Sequence, residues 1–297
     1  MKIQVEHIDA FSSLPNKGNP AGVVHNGDHY TTEQMQQLAS KVGFNETAFV
    51  CQSNHADFQL RYFTPGHEMN LCGHGTIGAV YSLFRHQLLP SNEFTIETKA
   101  GILPIHIFFE AERLVVTMQQ ATPQFRPFNG FVAQLASALG LAETEIDTRY
   151  PIVYGNTGVW TLLVPIKELA SFQKMIPVNA LFPEVLREIP TTSIHPFCFE
   201  TVYPENAMHA RHFSSPYSGT IEDPVTGTAS GVMGAYYQTF VEQHPLPHTV
   251  YIEQGLEIGK DGQVGVHLAG EDELTVAISG TAVYVDTFAI ELEGEIK

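Results

Sequence analysis

The sequence predicts an α+β protein of two pseudo-symmetric domains, each a mostly antiparallel sheet curled around one central buried helix. Three observations predict it. The first is Leu71-Cys72-Gly73-His74-Gly75-Thr76, a glycine-rich turn that runs into Ile77-Gly78-Ala79-Val80-Tyr81-Ser82-Leu83-Phe84, apolar on nearly every side. The second is Thr226-Gly227-Thr228-Ala229-Ser230, which leads into Gly231-Val232-Met233-Gly234-Ala235-Tyr236-Tyr237 in the same manner. The third is a set of landmarks from the first half that recur in the same order in the second. A helix that is apolar all round is buried whole. It buries every face beside a sheet only if the sheet wraps around it.

Taken in order, Ile3 to Phe11 alternates apolar and polar residues and reads as a half-buried strand. Gly18-Asn19-Pro20-Ala21-Gly22-Val23-Val24 is a turn feeding a second strand. Thr31 to Gln34 has the form of a helix start, Met35, Leu38, Ala39 and Val42 share one helical face, and Gly43 suits the C-terminal cap. Strands follow at Phe44 to Cys51 and Phe58 to Phe63, then the first glycine-opened helix, then strands at Phe94–Thr98, Ile102–Phe109 and Leu114–Met118. Ala121 to Asn129, with prolines at 123 and 127, is the expected linker.

In the second half, Gly155-Asn156-Thr157-Gly158-Val159 echoes the stretch from Gly18, and Arg211-His212-Phe213-Ser214-Ser215-Pro216 echoes Arg61-Tyr62-Phe63-Thr64-Pro65. Thr226-Gly227 echoes Cys72-Gly73, Ile252-Glu253-Gln254-Gly255 echoes Ile96-Glu97, and Leu274 to Ile278 echoes Leu114 to Met118. The expected domains are residues 1–121, completed by a C-terminal strand at 283–297, and residues 122–282. Trp160 is expected in the core of the second.

Composition narrows the function. Of 297 residues 43% are hydrophobic and 16% charged, a globular balance, and the formal net charge is −17. An acidic surface repels nucleic acid and anionic membrane, so neither is an expected partner. Three cysteines without a Cys-x-x-Cys pair argue against a disulfide framework. No run is long enough to span a membrane and the start lacks a signal-peptide core, so a cytoplasmic protein is expected. His195, His209 and His212 lack metal-ligand spacing, and no metal is expected.

The chemistry concentrates at the two glycine turns. Each opens a helix whose first N–H groups have no intrahelical acceptor and whose dipole favours negative charge. Gly73 and Gly75 in the first turn, and Gly227 in the second, allow a ligand close to that backbone, which makes an anion pocket. The two helix starts are expected to face each other across an inter-domain cleft. His74 lies inside the first turn, and Asp223 just before the second; Asp223 could equally cap that helix. Glu46 shares a strand face with Phe44, Ala48 and Val50, so it is either functional or paired, with Arg61 as the candidate partner. The corresponding part of the second half has His195-Pro196-Phe197-Cys198 and no carboxylate. A charge present in only one copy of a duplicated scaffold is not a fold requirement, which favours Glu46 as a general base that returns its proton as an acid.

These residues carry a resemblance. Asp9-Ala10-Phe11, Gly18 to Val23, Asn45-Glu46-Thr47-Ala48-Phe49, Arg61 to Pro65, Cys72-Gly73-His74-Gly75-Thr76, Glu222-Asp223-Pro224-Val225-Thr226-Gly227-Thr228-Ala229 and Ser279-Gly280 span nearly the whole chain. Together the sequence resembles the PhzF-like (phenazine-biosynthesis) family, within the diaminopimelate-epimerase-like fold. The resemblance implies a homodimer without metal or organic cofactor, acting as a proton-shifting isomerase on a small carboxylate-bearing substrate. It places the catalytic glutamate at Glu46. Substrate contacts fall on Asn19, His74, Asp223 and Thr228, with Gly73, Gly75, Thr76 and Gly227 at the helix starts; Thr228 stands where the namesake usually has serine. Related epimerases use a cysteine at each glycine turn, whereas this chain has Cys72 at the first and Thr226 at the second. Racemisation through Cys72 and non-catalytic binding of a small anion are the alternatives.

Overall fold

A computed structural model describes residues 2–292; the end of the expected 283–297 strand, residues 293–297, lies outside the described residues. The chain divides into one unit of Met1–Gln119 with Ser279–Lys297 and a second of Gln120–Ile278.

Unit 1 contains β1 (Lys2–Ala10), β2 (Asn19–Val24), β3 (Glu46–Cys51), β4 (Phe58–Phe63), β5 (Glu68–Met69), β6 (Glu93–Thr98), β7 (Gly101–Glu110), β8 (Arg113–Gln119) and the last strand among the described residues, β17 (Ala282–Glu291). Its helices are α1 (Thr32–Val42) and α2 (Gly73–Arg85). β1 pairs antiparallel with both β17 and β2. β2–β3 is parallel, β3–β4 antiparallel, β4–β6 parallel, and β6–β7 and β7–β8 antiparallel. α2 packs on β1, β2, β3, β8 and β17, so strands from both ends of this series reach it. Its Ile77, Val80 and Leu83 are fully buried. Each contributes about 1.5–3 kcal/mol by leaving water. Only the last turn emerges, with Phe84 38% exposed.

α1 forms as its residues dictate. Thr31 and Gln34 make a reciprocal capping box, and Gly43 takes the left-handed cap at φ 74°. Met35, Leu38 and Ala39 are its buried face.

Unit 2 contains β9 (Gln124–Pro127), β10 (Val153–Asn156), β11 (Trp160–Pro165), β12 (Ser193–Cys198), β13 (Met208–Ala210), β14 (His248–Gln254), β15 (Gly262–Ala269) and most of β16 (Thr275–Gly280), with helices α3 (Val132–Ala138), α4 (Phe182–Val185) and α5 (Gly227–Tyr236). β10–β11 is antiparallel, β11–β12 parallel, β12–β13 antiparallel, β13–β14 parallel and β14–β15 antiparallel. This repeats the alternation of unit 1, with β10 in the place of β1 and β14 in that of β6. Around α5, Cβ atoms built at Gly231 and Gly234 would meet Ile278 and Val266, and Val232 lies against Gly155. The sheet therefore surrounds this helix too.

Three expectations change. The 121–129 stretch is not a plain linker: Gln124–Pro127 pairs antiparallel with β10. Pro127, at the strand's end, does not prevent pairing there. The Gly18/Gly155 echo marks the same strand–turn–strand corner in both units, but Gly155 lies within β10 and the turn glycine is Gly158, at φ 145°. Trp160 is half-buried, packs against the unit 2 core and has the Arg126 guanidinium 4.6 Å from its ring centroid. No helix among the described residues is long and apolar enough to cross a membrane.

Candidate active site

In unit 1 the site gathers at the start of α2. Cys72 is the N-cap, and its Sγ accepts from the Gly75 N–H at 3.3 Å. A Cβ on Gly75 would sit 3.1 Å from that sulfur and 3.2 Å from Tyr62, so glycine keeps the cap close. The His74 side chain is 9% exposed, and its Nε2 lies 3.0 Å from Glu46 Oε2, where Glu46 is the first residue of β3. The contact is short but off the axis of a ring N–H, and Oε2 is buried without a well-aligned hydrogen bond.

On the other side of the ring, Asn19 Nδ2 lies 3.3 Å from His74 Nδ1 and Cys72 Sγ lies 3.5 Å from it. Asn19 is held by the β1–β2 corner. There Asp9 accepts from the Asn16 N–H at 2.6 Å, and Gly18 takes φ +70° with no room for a Cβ, which would fall 2.3 Å from Ala10 O. In the charged imidazole both ring nitrogens carry protons, so the Asn19 amide would turn its oxygen, not its nitrogen, to Nδ1.

Burial alone would lower the His74 pKa, but the facing Cys72 and Glu46 charges raise it well above the ordinary histidine value. Burial pushes the Cys72 thiol up despite the neighbouring imidazole. Near neutral pH that thiol is protonated, so the opposing charge that acts on His74 is the Glu46 carboxylate. Donor atoms of Glu46, Cys72 and His74 lie within 4.8 Å of one another, a spacing a metal ion could use, but the cap role and protonated state of the thiol oppose it.

The pairing of Glu46 with Arg61 does not form. Arg61 stands opposite Phe49 in the β3–β4 register and binds Glu68 bidentately at 2.8 and 3.0 Å. Thr76 is also unavailable to a ligand. It is 0% exposed, its N–H and hydroxyl both donate to Cys72 O, and Tyr62 OH lies 2.6 Å from its Oγ1. Helix geometry leaves the N–H groups of Gly73 and His74 without intrahelical acceptors.

In unit 2, Asp223 is not the helix cap. Thr226 is the N-cap residue of α5, and its hydroxyl donates to Asp223 Oδ2 at 2.5 Å. Gln254 fixes both, accepting from the Thr226 N–H at 3.2 Å and donating to Asp223 O at 2.9 Å. The Asp223 N–H donates to His212 O at 2.9 Å. Gly227 is buried and Thr228 half-buried at the helix start, with Thr228 O accepting from the Thr157 hydroxyl at 3.0 Å. His195 and His212 meet Nδ1 to Nδ1 at 3.1 Å, which requires one proton between them. Burial pushes His212 down to about 4 against the pull of Asp223, and burial, with His212 beside it, lowers His195 well below the ordinary histidine value. Sequence reasoning missed Tyr62, His212 and Gln254. The Arg61-Tyr62-Phe63 and Arg211-His212-Phe213 echo was the available signal for the first two.

The chain matches the PhzC-PhzF family model, described as phenazine biosynthesis-like protein, over residues 8–287. It belongs to this family. It is 52% identical to the uncharacterized isomerase YfhB of Bacillus subtilis (strain 168), over 97% of this chain and 99% of that one. A crystal structure of the Bacillus anthracis phenazine biosynthesis protein, PhzF family, superposes with a TM-score of 0.97 at 52% identity, covering 98% of this chain and 100% of that one. The trans-2,3-dihydro-3-hydroxyanthranilate isomerase of Pseudomonas aeruginosa is 29% identical over 92% of this chain and 94% of its own length. The chain is an isomerase of the PhzF family with the expected two-unit α+β fold.

Proposed function

We propose that this isomerase moves a proton on a small carboxylate-bearing substrate without a cofactor, using Glu46 as its single acid/base. The observation that carries this reading is Glu46 Oε2: a buried carboxylate oxygen 3.0 Å from His74, without a well-aligned hydrogen bond of its own. The side chain as a whole is 17% exposed, so the carboxylate keeps a face that a substrate C–H can reach, and there it takes the proton from carbon. The resulting carboxylic acid then returns the proton at a second carbon, so no proton is gained or lost. His74, kept cationic, pairs with the carboxylate and supports charge that develops on the substrate. The N–H groups of Gly73 and His74 suit a substrate carboxylate.

In unit 2, Asp223 and Thr228 are proposed substrate contacts, Asp223 aimed by Thr226 and Gln254. The relative that acts on trans-2,3-dihydro-3-hydroxyanthranilate supplies the first compound to try. We also propose that the chain works as a homodimer in the cytoplasm, which sedimentation and fractionation would check.

Racemisation through Cys72 is the weaker reading. Its thiol is protonated and caps α2, and Thr226, at the matching position, spends its hydroxyl proton on Asp223. The test is a screen of small cyclic and amino-acid-like carboxylates in deuterated water, scored by mass. A substrate should gain deuterium with chelator-treated wild type and not with Glu46→Gln. Equal gain with both would end the proposal.

A further inference from the structure

Away from that site, three further ligating side chains converge in unit 1. Glu6 comes from β1, His25 follows directly on β2, and His86 is the C-cap of α2. One donor atom from each lies within 4.8 Å of the other two. His86 Nε2 is 2.7 Å from Glu6 Oε1. The Ser82 hydroxyl stands between the others, donating to Glu6 Oε2 at 2.6 Å and lying 2.7 Å from His25 Nε2. We propose that Glu6, His25 and His86 form a binding site for a divalent transition ion of the zinc type.

The donor set selects the ion. Two imidazoles and one carboxylate suit zinc and its borderline neighbours, whereas calcium and magnesium prefer oxygen alone. Three protein donors leave a fourth position for water. Two of the three groups are in a charge state that suits an ion. Burial and the neighbouring His86 lower His25, which keeps its imidazole neutral. Burial would raise Glu6, but bonds from Ser82 and His86 and the charge of Arg85 bring it below the usual carboxylate value.

Access and local field also fit. The His86 side chain is 48% exposed and gives an ion a route to Glu6, which is 12% exposed. The site lies at the C-terminal end of α2, where the helix dipole favours a cation. Arg85 lies 3.5 Å from Glu6, but its guanidinium is also 3.6 Å from the Tyr284 ring centroid, a seat it keeps without Glu6. On binding, the ion takes the place of Ser82 at His25 Nε2, with the His25 proton on Nδ1, and displaces to solvent the His86 Nε2 proton that Glu6 accepts. Ser82 then keeps its bond to Glu6 and orients that ligand. The ion would tie two strands to the far end of the helix whose start carries Cys72 and His74. Sequence spacing gave no sign of it, because the ligands come from three separate elements.

The test uses the untagged, chelator-treated full chain titrated with Zn²⁺ by equilibrium dialysis and with Co²⁺ by visible absorption. The expected result is about one saturable equivalent per chain, as one three-donor site dictates. Co²⁺ bands should be displaced by Zn²⁺. His86→Ala, at an exposed position, should weaken binding by more than about 100-fold, beyond the range of an outer-shell change. His25→Gln should do the same, and Cys72→Ser should bind as wild type does. Absence of saturable binding would overturn the proposal. So would binding kept in both histidine variants, or binding lost in Cys72→Ser alone, which would put the ion at the Glu46 cluster.

Discussion

Replacing Glu222 by glutamine should loosen unit 2 far more than Glu68→Gln loosens unit 1. Each glutamate pairs with an arginine stacked over a phenylalanine, Arg211 over Phe213 at 4.7 Å and Arg61 over Phe63 at 5.2 Å. The surroundings differ. Arg211 is 7% exposed, holds Glu222 at 2.9 and 2.6 Å and donates to Phe172 O at 2.7 Å. The Arg61 side chain is 22% exposed, and Glu68 also binds Lys99 at 2.6 Å. Breaking a buried pair strands a charge and costs about 3–5 kcal/mol; the amide oxygen of glutamine still accepts one N–H, so about 3 is the working figure. For a unit of this size that lowers the melting temperature by roughly 6–12 °C. Glu68 is as buried as Glu222, each 10% exposed, but the cations it would leave, Arg61 at 22% and Lys99 at 51%, can turn to water, so its loss should be only about 1 kcal/mol. The assay is built into the chain, since its single tryptophan, Trp160, lies in unit 2. Tryptophan fluorescence therefore follows the unit that Glu222 supports. A Glu222→Gln shift under about 2 °C, well below one buried-pair loss, would refute the reasoning.

The remaining predictions concern packing, pH and the site. Gly234→Ala places a Cβ 2.6 Å from Val266 Cγ1 and should destabilise unit 2; overpacking of that kind costs about 1–3 kcal/mol, readable as a lower urea midpoint by Trp160 fluorescence. His209 is fully buried, 2.8 Å from Glu253 and 2.9 Å from Glu257. Burial would lower its pKa, but the two carboxylates raise it above 6.5. A raised histidine stabilises the fold below its unfolded pKa, and that stability is lost as pH rises through the folded value. The stability gap between wild type and His209→Gln should therefore be widest below the ordinary histidine value of 6.5 and narrow as pH rises above it. A gap constant with pH would contradict this. Thr226→Val removes the hydroxyl that aims Asp223, and kcat/KM should fall roughly tenfold, the value of one hydrogen bond to a charged group. An unchanged kcat/KM would show that Asp223 needs no such support.

Much of this architecture was legible because α2 and α5 are apolar on all sides, a pattern only a wrapped sheet can bury. Capping residues marked α1 for the same local reasons. What stayed hidden depends on register and on distant partners. Arg61 looks like a partner for Glu46 along the sequence, yet pairing sets it opposite Phe49 and hands it to Glu68. Asp223 looks like a cap, yet Gln254, brought in by β14, ties it to Thr226. Thr76 sits in a ligand-like turn, but Tyr62 and Cys72 O occupy its hydroxyl. β9 was obscured by Pro123 before it and Pro127 at its end, which an unpaired reading takes as a linker.

The central claim is that one carboxylate moves the proton and the neighbouring thiol does not. It is tested most directly by comparing Glu46→Gln and Cys72→Ser on one substrate, with initial rates of isomerisation in deuterated water. Glu46→Gln should lose about 10²-fold or more, as removal of a general base does, while Cys72→Ser, which keeps a capping oxygen for Gly75, should stay within roughly tenfold of wild type. An active Glu46→Gln beside an inactive, folded Cys72→Ser would contradict the account and assign the chemistry to the thiol.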